Sequence, residues 1–260
     1  MCGIVGISRS PGVSDSGISA VHRMAAAIRH RGPDDEGYFE ADRVILGMRR
    51  LSIIDLAGGH QPIANEDETV HVVCNGEIYN FRALRGDLER RGHRFRTASD
   101  VEAIVHLYEE HGERCVEHLS GMFGFALWDS RRQRLLLARD RFGQKPLYFS
   151  RIGGGVAFAS EIKALLELPD IRATLDAGSL ADYLSMGYAV APRTLFGGVE
   201  KLPPATRLIW DGASIRIEKY WSLPTAVDAA PDGSSTIALK GSAVITSAAS
   251  RAVEQVRTWK

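Results

Sequence analysis

The chain has 260 residues, 45% of them hydrophobic, enough to bury a sizeable core in one large domain or in a domain with an appendage. Lys+Arg and Asp+Glu balance at 32 each and the isoelectric point is about 7.1, which disfavours nucleic acid and anionic membrane surfaces as partners. Three cysteines without a close pair, no His/Cys grouping at zinc spacing, no secretory leader and no apolar run approaching ~18 residues predict a soluble cytoplasmic protein with reduced thiols and no metal site.

Cys2 stands directly behind Met1 and opens the run Gly3-Ile4-Val5-Gly6-Ile7, which reads as a strand buried on both faces. Cysteine is small enough for Met1 to be trimmed. The new terminus would then carry a thiol and an α-amine on one residue, with pKa values near ~8.5 and ~8, so the amine can relay the thiol proton without a histidine. The plainer reading is a small hydrophobe in an N-terminal strand.

Ile18, Val21, Met24, Ala25 and Ile28 recur at helical spacing and predict a core-facing helix that stops before Gly32-Pro33. Arg29-His30-Arg31-Gly32-Pro33-Asp34-Asp35-Glu36-Gly37 reads as a solvated loop, or else as a mobile lid over a charged ligand. Short strands are expected at Val44 to Met48 and Leu51 to Ile54, flanking Arg49 and Arg50, one of which can point inward as a bidentate carboxylate clamp. Val70 to Cys74 reads as a strand leading into Asn75-Gly76-Glu77-Ile78-Tyr79-Asn80. Asn75-Gly76 fits either a hairpin turn or an oxyanion hole built from the Asn75 amide and the Gly76 N–H. Cys74 and Cys115 sit in apolar patterns and read as inert core thiols.

A helix over Phe81, Leu84 and Leu88 should end near Gly92. Ser99 and Glu102 form a capping-box pattern that opens a second helix reaching Gly112 and puts Asp100 in its first turn. There Asp100 would complement the helix dipole or hold a ligand ammonium. Met122 to Trp128, Leu135 to Ala138, Pro146 to Ser150 and Val156 to Ala159 read as an antiparallel meander. Its one heavily charged loop is Arg139 to Lys145. Helices over Ser160 to Leu168 and Asp176 to Met186 precede a hairpin of Thr206 to Trp210 with Ile215 to Ile217, turning at Asp211-Gly212. After Pro224 the composition turns to Ala, Ser, Thr and Gly, which suggests a loosely ordered tail.

The opening Met1-Cys2-Gly3-Ile4-Val5-Gly6, the stretch from Arg29 to Gly37, Arg50-Leu51-Ser52-Ile53-Ile54-Asp55, Asn75 to Asn80, Ser99-Asp100 and the run from Arg139 to Tyr148 stand in one order. Together they resemble the class II glutamine amidotransferases, most closely the glutaminase half of glutamine-hydrolysing asparagine synthetase. The resemblance runs from Cys2 to Trp221, so residues 2–221 are expected to form this domain and 222–260 a poorly matched tail. It implies an α+β fold, a four-layer αββα N-terminal-nucleophile hydrolase sandwich with two antiparallel sheets. It also implies that Cys2 attacks the glutamine side-chain amide, that Asn75 and Gly76 form the oxyanion hole, and that Arg50 holds the substrate carboxylate. Glu77 and Asp100 would hold its ammonium, with Leu51, Ser52, Ile53 and Ile54 lining the pocket. The asparagine synthetases continue into a domain with a Ser-Gly-Gly-x-Asp-Ser phosphate loop, and no such string occurs here. The expectation is therefore a glutaminase half that needs no cofactor, with ATP and Mg belonging to a synthetase domain or subunit as partner. A homodimer stays open, as does a catalytically silent glutamine- or partner-binding domain.

Overall fold

The computed structural model describes residues 2–52, Asp55 and 58–223. The apolar run behind Cys2 forms strand β1 (Gly3–Ser8), buried along its whole length. The expected first helix is α1 (Asp15–Ala27), followed by a 3-10 turn over Arg29–Arg31. The stretch read as a loop is only partly one: Asp35 to Gly37 open strand β2 (Asp35–Ala41), which pairs with β3 (Val44–Arg50) from Asp35 opposite Arg50 to Ala41 opposite Val44. Local polarity concealed this strand, since a half-exposed edge strand needs few apolar residues.

β4 (Ile63–Ala64), β5 (Val70–Ile78), α2 (Phe81–Arg90) and α3 (Glu102–His111) follow. The capping box does not form as expected. Asp100 and Val101 precede the helix, and the Glu102 carboxylate reaches back past Ser99 to the N–H groups of Arg96 (2.6 Å) and Thr97 (2.7 Å). A carboxylate that finds two donors further back has no need of the cap residue.

β6 (Gly121–Asp129) and β7 (Arg134–Arg139) form one hairpin, β8 (Tyr148–Ile152) and β9 (Gly155–Ala159) another. Then come α4 (Ile162–Leu165), shorter than expected, α5 (Ala177–Met186), β10 (Glu200–Lys201), and the final hairpin of β11 (Thr206–Trp210) and β12 (Ile215–Lys219). Among the described residues two six-stranded antiparallel sheets result, in the orders β10-β8-β9-β1-β3-β2 and β12-β11-β7-β6-β5-β4. The four strands read as one meander are thus two hairpins in different sheets.

The charged loop from Arg139 to Lys145 makes that crossing. The fully buried Asp140 carboxylate accepts from the backbone of Phe123, Phe142, Gln144 and Lys145 at 3.0–3.2 Å. The Arg139 guanidinium donates to the carbonyls of Gly143, Lys145 and Leu202 at 2.6–2.7 Å. A chain leaving one sheet for another loses its ladder partners inside the protein, and these two side chains replace them.

Packing follows strand alternation. Ile4 faces Val73, Ala126, Phe149 and Phe158 between the sheets, whereas Val5 and Ile7 face Val21, Met24 and Ala25 of α1 and Leu165 of α4. On the other sheet, Val72 and Cys74 pack on Leu88 of α2 and Ile104 and Tyr108 of α3. The layers run α1 and α4, sheet, sheet, α2 and α3, the αββα arrangement expected. Each large apolar side chain fully buried in them contributes about 1.5–3 kcal/mol. The tail after Pro224, with its expected looseness, lies outside the described residues.

Candidate active site

Cys2 sits half-buried at the mouth of the gap between the sheets, one residue before β1. Its thiol donates to the Leu51 carbonyl at 3.6 Å and accepts from the Leu51 N–H at 3.4 Å. Arg31 Nε donates to the Cys2 carbonyl at 2.9 Å, and its other end pairs with Glu161 at 2.9 Å, which also meets His30 Nε2 at 2.9 Å. Ile4 exchanges hydrogen bonds with the buried Ser160, its N–H to Oγ at 3.0 Å and its carbonyl from the Ser160 N–H at 2.9 Å. The strand behind Cys2 is therefore held from the 3-10 turn after α1 and from the residues that follow β3 and β9.

The Arg29 to Gly37 stretch packs against the arginine pair. A Cβ on Gly32 would lie 2.3 Å from the Arg49 carbonyl and 2.4 Å from the Arg50 N–H nitrogen, so only glycine lets the loop lie against the end of β3. Both arginines are buried, where one was expected to be: successive residues of β3 point to opposite faces, and each face is covered. Arg49 pairs with Glu36 and donates to the Gly32 carbonyl at 3.2 Å. Arg50 donates to the Asp55 carbonyl at 2.7 Å and lines the cleft. Asp55, at φ 50°, accepts from the N–H groups of Gly58 and Ala98 at 2.9 Å each. Asp34 accepts from the Ser52 N–H at 2.9 Å.

One cleft brings together Cys2, Arg50, Leu51, Gly59, Gln61, Cys74, Gly76, Glu77, Ser99, Asp100 and Val101. Asn75 and Gly76 are not a hairpin turn. They lie within β5, opposite Gly124 and Phe123 of β6. A Cβ on Gly76 would come 2.2 Å from the Met122 carbonyl, so the residue is glycine because two backbones close on each other there. Asn75 does not line the cleft but sits between two residues that do. It is 1% exposed, and its Nδ2 is a buried donor without a hydrogen-bond partner among the described residues. A buried amide left unpaired costs about 1–3 kcal/mol, which makes it notable in a folded protein.

The two carboxylates face opposing influences. Burial, reinforced by the neighbouring Asp100 charge, raises the Glu77 pKa against the pull of the Lys145 ammonium. Burial raises Asp100 as well, partly offset by the Ile78 N–H that donates to its Oδ2 at 2.6 Å. Asp100 lines the cleft just ahead of α3. Two adjacent carboxylates held above their ordinary range are suited to receive a cation. Burial pushes Cys74 well above the usual thiol value and Cys115 up to about 12, so both stay protonated, as expected of core thiols.

Of the expected pocket residues Leu51 lines the cleft and Ser52 does not, while Ile53 and Ile54 lie outside the described residues. Sequence reasoning missed Gln61, whose amide brackets Cys74, accepting from its N–H at 2.7 Å and donating to its carbonyl at 3.3 Å. It also missed the buried Lys145, whose only signal was its place in the heavily charged loop. A larger hollow around Gly153–Gly155, Trp210 and Ile215 offers one charged residue, Arg151, and no nucleophile.

An αββα sandwich with a cysteine at the head of a buried strand, against a cleft of opposite charges, has the fold of the N-terminal-nucleophile hydrolases. The chain belongs to the glutamine amidotransferase domain family, whose profile matches residues 1–221. It is 38% identical over 226 residues to the Bacillus subtilis protein named asparagine synthetase [glutamine-hydrolyzing] 3, covering 86% of this chain and 37% of that one. It is 46% identical over 166 residues to asparagine synthetase [glutamine-hydrolyzing] 3 of Arabidopsis thaliana, covering 64% and 28%. The chain thus spans about a third of the length of these relatives. Among solved structures, the glutamine phosphoribosylpyrophosphate amidotransferase of B. subtilis, complexed with ADP and GMP, shares the fold. It matches at a TM-score of 0.58 and 17% identity over 85% of this chain and 49% of that one.

Proposed function

We propose that this chain hydrolyses the side-chain amide of glutamine through a Cys2 thioester and supplies the ammonia to a synthetase that makes asparagine from aspartate and ATP. The observation that carries the reading is the convergence of the Cys2 thiol, the Arg50 guanidinium and the Glu77 and Asp100 carboxylates on a single cleft, next to Asn75, whose amide N–H has no partner among the described residues. A zwitterionic amino acid needs a cation and an anion at opposite ends, and Arg50 against Glu77 and Asp100 supplies them. Once Met1 is removed, the Cys2 α-amine takes the thiol proton as Sγ bonds to the side-chain carbonyl carbon. The oxygen becomes an oxyanion, stabilised by the Asn75 Nδ2–H and the Gly76 N–H. The amine returns the proton to the nitrogen, the C–N bond breaks, and ammonia departs. Water then adds to the thioester, the C–S bond breaks, and glutamate leaves with the thiol restored.

Intact mass and glutamate release from the purified chain test this. The expected result is loss of Met1, with one glutamate and one ammonia per glutamine, abolished in Cys2→Ala. Glutamine binding without turnover by the trimmed chain would instead establish a silent binding domain.

A further inference from the structure

Sequence spacing announces no metal site, but folding gathers four ligating side chains in the outer layer, away from the elements that carry Cys2. Glu66 lies between β4 and β5, His93 follows α2, and His106 and Glu109 stand one turn apart on α3. Their ligating atoms all fall within 4.8 Å of one another. His93 Nδ1 is 3.5 Å from a carboxylate oxygen of Glu66 and 3.5 Å from one of Glu109. His106 Nδ1 is 3.4 Å from Glu66 and 3.0 Å from Glu109. Four donors about 2.0–2.1 Å from a tetrahedral ion lie about 3.3 Å apart along each edge; the two imidazoles approach one shared oxygen of Glu109, at 3.5 and 3.0 Å, and different oxygens of Glu66.

Two imidazoles with ring centres 4.9 Å apart each turn Nδ1 toward the same two carboxylates. One shared cation satisfies all four groups at once, whereas two imidazolium ions at that distance repel each other. For three of the four groups the outer contacts have the form that metal ligands take. His93 Nε2 meets Glu110 at 3.0 Å, whereas the Nε2 of the fully buried His106 lies 3.7 Å from Glu102, within ion-pair range but too far for a hydrogen bond. Asn65 Nδ2 donates to Glu109 at 2.8 Å, and the Arg94 N–H donates to Glu66 at 2.8 Å. Such partners orient first ligands, and in His93 the Glu110 contact sets the tautomer that leaves Nδ1 open.

We propose that Glu66, His93, His106 and Glu109 form a site for a divalent transition metal of the zinc type. The two-imidazole, two-carboxylate donor set suits Zn²⁺ better than the all-oxygen cations Ca²⁺ and Mg²⁺. The ion ties the β4–β5 loop and the turn after α2 to α3, the helix that begins two residues past Asp100. Its role is to brace the layer behind the cleft, with no part in the chemistry at Cys2.

The test is Zn²⁺ titration into tag-free, chelator-stripped protein against a competing chromophoric chelator, in a Cys2→Ser background so that the terminal thiol cannot contribute. One equivalent is expected to bind and raise the unfolding temperature. His93→Gln and Glu66→Gln, both at partly exposed positions, should each weaken binding at least about tenfold while circular dichroism shows the fold intact. Co²⁺ in the same background should give the intense visible bands of a four-coordinate ion, lost in His93→Gln. Absence of stoichiometric uptake by the folded parent, or uptake undiminished in the two variants, would overturn the assignment and leave an ion-pair network.

Discussion

Truncating Asn75 to alanine separates catalysis from folding unusually well. Its Nδ2 is buried without a partner among the described residues. Removing it relieves about 1–3 kcal/mol of unsatisfied-donor cost. Deleting the side chain from a residue that is 1% exposed leaves a small cavity that costs roughly 1–3 kcal/mol. The two terms oppose each other, so stability should stay within roughly 1.5 kcal/mol of the parent. In the transition state the balance is one-sided. An oxyanion donor lost without replacement costs about 2.7–4 kcal/mol, a fall of ~10²–10³ in kcat with little change in KM. Coupled glutamate detection gives kcat and KM, and urea unfolding gives stability. A raised KM with unchanged kcat would place Asn75 in ground-state binding, and a stability loss above ~3 kcal/mol would make it a structural residue. Either result refutes the reasoning.

Gly32→Ala should cost about 1–3 kcal/mol, because the new Cβ meets backbone atoms of Arg49 and Arg50 that cannot rotate away. Displacing Arg50 should also raise KM for glutamine, measurable beside urea unfolding. Since burial holds Glu77 and Asp100 above the usual carboxylate range, kcat/KM should begin to fall on acidification at a higher pH than ordinary carboxylates, near ~4, would dictate. The bound ammonium favours the ionised forms, so the matching limb in kcat should lie at lower pH. For stability the sign reverses. As pH rises from the unfolded toward the raised folded pKa, the unfolded chain ionises first and stability is lost. Asp100→Asn should therefore bind glutamine poorly yet unfold at a higher temperature than the parent at neutral pH, with the difference vanishing in acid below the unfolded Asp range. Finally, with aspartate, ATP and Mg²⁺ added, this chain should still release ammonia equal to glutamate and form no asparagine. Asparagine in that mixture would show that the activating machinery lies within these 260 residues.

What the sequence determined by itself was local and chemical. Alternation and apolar runs located β1, β5, β6 and the β11–β12 hairpin, because a strand's period of two and its burial are written in neighbouring residues. The core-facing helix α1 was legible from its i, i+3, i+4 spacing. The separated motifs named the chemical groups, among them Cys2, Arg50, Asn75, Glu77 and Asp100. Tertiary structure alone decided the rest. Whether β7 and β8 shared a sheet depended on where the buried Asp140 and Arg139 could find partners, a non-local question. Asn75-Gly76 became mid-strand rather than a turn because β6 arrived to pair with it from nearly fifty residues away. Asp35 to Gly37 became strand through β3, and Glu102 found its donors behind Ser99 rather than on it. The Glu66, His93, His106 and Glu109 cluster had no local trace, since its members come from a loop, a turn and a helix that meet only on folding. Periodicity reports which face of an element is dry; which polar atoms share that dry space, and so which can hold a proton, an ammonium or an ion, follows only from the pairing of distant segments.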